Sequence, residues 1–74
     1  MSRPPAISGK NLVRALERDG FSVRRQTGSH VLLEHGDGRM VVVPVHANKD
    51  LPTGTLRGIL RDAEISSEHL RDLL

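Results

Sequence analysis

The chain has no cysteine, no tryptophan and no tyrosine, and Phe21 is its one aromatic residue. Without cysteine there is neither a disulfide framework nor a thiolate metal site. One phenylalanine cannot build a platform that stacks successive single-stranded bases. No apolar run is long enough to span a membrane. Met1-Ser2-Arg3-Pro4-Pro5 is not followed by the apolar stretch of a signal peptide, so a soluble cytoplasmic protein is expected. Lysine is scarce as well: Lys10 and Lys49 stand among eleven basic residues, and the rest are arginines. The net charge of +2 is modest and suits a solvated surface as well as a nucleic-acid face. Arginine is the better bidentate phosphate ligand. At 74 residues the expectation is one domain, residues 1–74. Its core is small enough that a partner or an oligomer would add stability.

What the chain does have is well-punctuated amphipathic order. After a lead-in from Met1 to Ile7, Ser8 reads as an N-cap, because its hydroxyl can accept from the free amides of a first helical turn. Leu12, Val13 and Leu16 then recur at helical spacing, and Gly20 ends the helix. Phe21 to Gln26 alternates as a strand, Thr27-Gly28 turns, and Ser29 to His35 forms a second strand. Gly36-Asp37-Gly38 marks a hairpin into Arg39 to Val45. Pro44 lacks an amide hydrogen and belongs on an edge. A loop from His46 to Leu51 leads to a helix from Pro52 to Asp62, capped by Asp50 or Thr53, with Leu56, Ile59 and Leu60 as its apolar stripe. Ile65-Ser66-Ser67 breaks the pattern before a short helix, Glu68 to Leu74. The expected architecture is α+β: helix, three-stranded antiparallel sheet, helix, with the helices on one sheet face and a small helical tail.

Side chains alternate across a strand, so parity assigns the faces. Phe21, Val23, Val31, Leu33, Val41, Val43 and Val45 form the helix-covered set. The open face then carries Arg24, His30, Leu32, Glu34, Met40, Val42, Pro44 and His46. A glycine hairpin places Glu34 opposite Met40, Leu32 opposite Val42 and His30 opposite Pro44. It makes His46 a diagonal neighbour of His30, at roughly 7 Å by backbone, with Arg24 across from His30 on the first strand. His35 falls on the covered face and His69 on the terminal helix; both read as bland.

Ser29 and His30 cannot act as nucleophile and base, because strand neighbours point to opposite faces and no carboxylate orients the ring. A metal site is weak too. His30 and Glu34 lie roughly 13 Å apart along an extended strand, and His30 with His46 makes two ligands where a catalytic zinc wants three. Ser8-Gly9-Lys10 lacks the upstream glycine and strand of a phosphate loop. The chemistry left is metal-free acid–base work on a phosphodiester. RNA brings its own 2′-hydroxyl nucleophile; the protein must supply a base, an acid and a cation for the charge developing on phosphorus. His30 fits base or acid, His46 a second group, and Arg24 or Lys49 the cation. A lone strand histidine is more often structural than catalytic, and spacing alone does not decide between the two.

Gly28-Ser29-His30 after a helix ending in Gly20-Phe21, then Val43-Pro44-Val45-His46, Gly54-Thr55-Leu56 and Ile59-Leu60, resembles the signature of the HicA toxins. The resemblance runs from Ser8 to about Leu70 in the same order. It implies a fold similar to double-stranded RNA-binding domains, an endoribonuclease that cuts mRNA without a cofactor, and neutralisation by a HicB antitoxin in a hetero-oligomer. It maps the family's catalytic histidine to His30 and the glycine and serine before it to Gly28 and Ser29; His46 matches a family position of unassigned role. Glu64 departs from the pattern, standing where relatives often carry a helix-ending glycine. The rival reading is a double-stranded RNA-binding module without catalysis. Such a module normally relies on a lysine-rich start to its second helix, and here that region has Lys49 alone, with Arg57 and Arg61 further in. Leu32, Met40, Val42 and Pro44 form an apolar patch on the open face, the expected partner surface; homodimerisation through it is the competing use.

Overall fold

Ser8 starts the first helix as its chemistry requires: the Asn11 N–H donates to its hydroxyl over 3.2 Å. The computed structural model describes residues 3–74; Met1 and Ser2 of the expected lead-in lie outside the described residues. Helix α1 spans Gly9–Arg18, and its stripe of Leu12, Ala15 and Leu16 is wholly buried. Gly20 then takes a φ of 103°, with the His35 ring packed where a Cβ would stand, so both conformation and space demand glycine there. Strands β1 (Phe21–Thr27), β2 (His30–His35) and β3 (Met40–Pro44) follow as an antiparallel sheet in the order β1-β2-β3. Helices α2 (Thr53–Ala63) and α3 (Ser67–Leu73) complete the chain. The result is the expected α+β sandwich, like that of double-stranded RNA-binding domains, with all helices on one face and the other face open.

The core forms where inward parity meets the helical stripes. Phe21, Val31, Leu33, Val41 and Val43 are buried against Leu12, Leu16, Leu56, Leu60 and Leu70. Val45 packs on this cluster only in part. Val23 departs from expectation. It pairs with Leu33 on the covered side yet stays 43% exposed, because it borders an open hollow between β1 and α1 that Lys10, Val13 and Glu17 also line. Gly9 is buried hard against the carbonyl of Pro44, where a Cβ would overlap it. Its place in Ser8-Gly9-Lys10 is therefore explained by packing of α1 on the end of β3.

Neither Asp50 nor Thr53 caps α2. Pro52 holds that position with no side-chain hydrogen bond, its fixed φ guiding the chain into the helix. At the far end the Ile65 N–H donates to the Leu60 carbonyl and the Glu64 N–H to the Arg61 carbonyl. This Schellman arrangement needs a left-handed residue, and Glu64 supplies it at φ 58°. An L side chain is strained there, so Glu64→Gly should stabilise the fold by about 1 kcal/mol. For a domain this small that is a rise in melting temperature of roughly 4–8 °C. A thermal melt checks this; an unchanged or lower midpoint would show that the strain is relieved elsewhere.

Candidate active site on the open sheet face

The site is built on the turn before β2. Thr27 pairs with His30, so Gly28 and Ser29 make a two-residue hairpin turn. Gly28 has φ 57° and no non-glycine residue of the turn is positive, the pattern of a type II′ turn with glycine first. The Ser29 carbonyl accepts the Val45 N–H at 2.6 Å. That bond also defines the pairing of His30 with Pro44. It flanks the pair, which makes it a non-hydrogen-bonded one, with side chains close together. The missing amide hydrogen of Pro44 would therefore point away from β2, towards the free edge. The β2–β3 register follows the expected one throughout, with Leu32 opposite Val42 and Glu34 opposite Met40.

The first strand does not keep its expected register. The pairing steps from Val23↔Leu33 to Arg25↔Leu32, with a bulge between. Arg24 is the extra residue. It is not across from His30; Thr27 is. The Arg24 guanidinium leans toward the hairpin end instead, where Nε lies 3.5 Å from Glu34 Oε1. In a bulge two residues oppose one, so Arg25 joins the open face as well. The face has three rows: Ser22, Glu34 and Met40; Arg25, Leu32 and Val42; Thr27, His30 and Pro44. Sequence reasoning missed Arg25 and Thr27, although a signal was present. Strict alternation from Phe21 and Val23 would turn Arg25 inward, and a two-residue turn forces Thr27 onto the face of His30. Only a bulge satisfies both.

The four histidines divide into two kinds. The His35 ring packs edge-on against Phe21, centroids 5.1 Å apart. Its Nδ1 accepts the Asp37 N–H and its Nε2 donates to the Asp19 carbonyl at 3.0 Å, which assigns the proton to Nε2. His69 Nε2 lies 2.7 Å from Asp19 Oδ1. Both therefore tie the end of α1 to its neighbours and are structural. Arg39 belongs to the same knot: it lies 5.2 Å from the Phe21 centroid, donates to the Ala63 carbonyl and grips Asp37 through Nε. That side-chain hydrogen bond from Arg39 is the main reason the Asp37 carboxyl is held below its ordinary range. By contrast, the rings of His30 and His46 are exposed and make no hydrogen bond among the described residues. These are the two histidines whose side chains no contact among the described residues engages.

The expected diagonal placement of His46 beside His30 on the ladder does not hold, because β3 ends at Pro44. The chain turns there, with the Lys49 N–H donating to the His46 carbonyl at 3.0 Å and Ala47 at φ 30°. Pro44 links the two histidines. It stands opposite His30 on the sheet and also walls a hollow with His46, Lys49, Pro52 and Thr55 at the start of α2. No three histidine, aspartate or glutamate side chains among the described residues are gathered so as to hold a metal ion. Beside His30 lies the apolar patch. Met40 and Val42 are 50% and 49% exposed, and Leu32 and Pro44 are half-buried.

Among the described residues no helix is long and apolar enough to cross a membrane. The family model for the HicA toxin of bacterial toxin–antitoxin systems matches residues 9–65, well over half of the chain. No curated protein matches it. The chain belongs to the HicA toxin family, and membership implies an antitoxin partner.

Proposed function

We propose that this HicA-family toxin is a metal-independent endoribonuclease of mRNA, with His30 as its general acid or base. The observation that carries the reading is an exposed, unbonded imidazole on the central strand of a sheet face that no helix covers. A strand with neighbours on both sides holds the ring more firmly than a loop would. Imidazole is the side chain whose unperturbed pKa lies nearest neutrality, so it can both take and return a proton at physiological pH. It would remove the proton of an RNA 2′-hydroxyl or protonate the leaving 5′-oxygen. Gly28 and Ser29 set the start of β2 and so the placement of the ring. His46 and Lys49, which border the same hollow as Pro44, would meet an adjacent phosphate. A HicB-type antitoxin seated on Leu32, Met40, Val42 and Pro44 would cover His30 and silence the enzyme without any conformational change.

This chemistry has a direct test. Cleavage of an in vitro transcript should persist in EDTA, leave 2′,3′-cyclic phosphate or its hydrolysis product, and stop when the 2′-hydroxyl at the cut is replaced by hydrogen. Complete loss in EDTA with rescue by a divalent ion would count decisively against it. A double-stranded RNA-binding module would instead bind a duplex and cut nothing. The start of α2, preceded by Lys49 alone where such a module relies on several lysines, counts against that second reading.

A further inference from the structure

We infer that Arg25, brought onto the open face by the bulge in β1, is the cation that contacts the phosphate reacting in front of His30. This rests on the ribonuclease reading above and adds a cation for the reacting phosphate to the Lys49 that reading sets at an adjacent one. Stabilising the charge that builds on phosphorus needs a cation on the same face, within reach of the same phosphate and not already engaged. Arg24 is drawn to Glu34, Arg39 to Asp37 and Ala63, Arg18 to the Leu73 carbonyl, Arg61 to Asp62 and Arg71 to the Arg3 carbonyl, while Arg14 and Arg57 stand on α1 and α2, on the helix side of the sheet. Arg25 is exposed and makes no hydrogen bond or ion pair among the described residues. It pairs with Leu32, one row from His30, and such diagonal neighbours lie roughly 7–8 Å apart by backbone. Strand side chains stand off the sheet, so a phosphate lying over the face at that spacing comes within reach of the guanidinium and the imidazole together. The planar guanidinium can grip two phosphate oxygens at once.

The bulge is what makes this arrangement. In regular register Arg25 would face the helices, and a single open-face arginine would remain. With the extra residue Arg24 drops out of the register and Arg25 opposes Leu32; Arg24 reaches Glu34 and Arg25 is left free one row from the imidazole. A charged edge strand also discourages pairing with other chains, but that role predicts no effect on catalysis.

The test is steady-state cleavage of an in vitro transcript by Arg25→Ala, Arg25→Lys, Arg24→Ala and His30→Ala, with circular dichroism to confirm folding. Arg25→Ala should lower kcat at least about a hundredfold, the scale of losing one donor to a developing oxyanion. Arg25→Lys should recover part of the loss, and Arg24→Ala should stay within about threefold of wild type, since its side chain is directed away. An unchanged kcat for Arg25→Ala, a change in KM alone, or an equal loss for Arg24→Ala overturns the assignment. If His30→Ala cuts at the wild-type rate, the ribonuclease reading itself has failed; if His30→Ala is dead and Arg25→Ala fully active, only the role of Arg25 has.

Discussion

His30→Ala should fold like the wild type and cleave RNA at least about a hundredfold more slowly, the usual minimum for loss of a positioned proton donor or acceptor. The fold should survive because the ring is exposed, bonds nothing among the described residues and belongs to no part of the core. Its neighbours in the row, Thr27 and Pro44, keep their backbone pairing whatever side chain stands between them. The measurement is cleavage of a defined transcript by the purified variant, with a thermal melt alongside. Wild-type cleavage would remove His30 from the chemistry. Unfolding would show that the imidazole is a structural group after all. His35 offers the contrast: its ring is held by Asp19, Asp37 and Phe21, so losing it should cost stability before it costs activity.

The second large effect concerns the antitoxin. Leu32→Asp combined with Val42→Asp should weaken antitoxin binding at least about a hundredfold, since truncating a buried anchor typically costs ~2–4 kcal/mol. The two residues face each other across β2 and β3, at the middle of a patch that also holds Met40 and Pro44. A sheet face meant for water would alternate to polar residues there. The inward set, from Val31 to Val43, lies on the opposite face and should be untouched, so the melting temperature reports whether the core is intact. Titration of the antitoxin against the folded double variant decides the matter. Undiminished affinity would place the antitoxin elsewhere, and a wild-type dimer dissociated by the same substitutions would reassign the patch to self-association.

Much of the fold was legible in the residues because each signal has a local cause. Ser8, Gly20, Gly28 and the Gly36-Asp37-Gly38 hairpin mark boundaries through hydrogen bonding and backbone sterics that act within a few residues. The β2–β3 register followed from a short glycine turn and a period of two, and both are readable without coordinates. His30 was legible for the same reason, as an outward residue on a strand whose inward neighbours are apolar. The start of α2 was less so: several side chains near it can cap a helix, and which residue occupies the cap depends on how the incoming loop packs.

The residues by themselves determined an α+β order, the two faces of β2 and β3, and a histidine set beside an apolar patch. Tertiary structure alone decided which charged groups are free to act. Pairing at a bulge cannot be read from one strand, because the extra residue exists only relative to its partner; so Arg24 went to Glu34, and Arg25 arrived on the face of His30. The histidines divided for a similar reason. His35 and His69 were removed from the chemistry by Asp19, a residue distant in sequence from both, and only folding brings its carbonyl and carboxylate within hydrogen-bond reach of their rings.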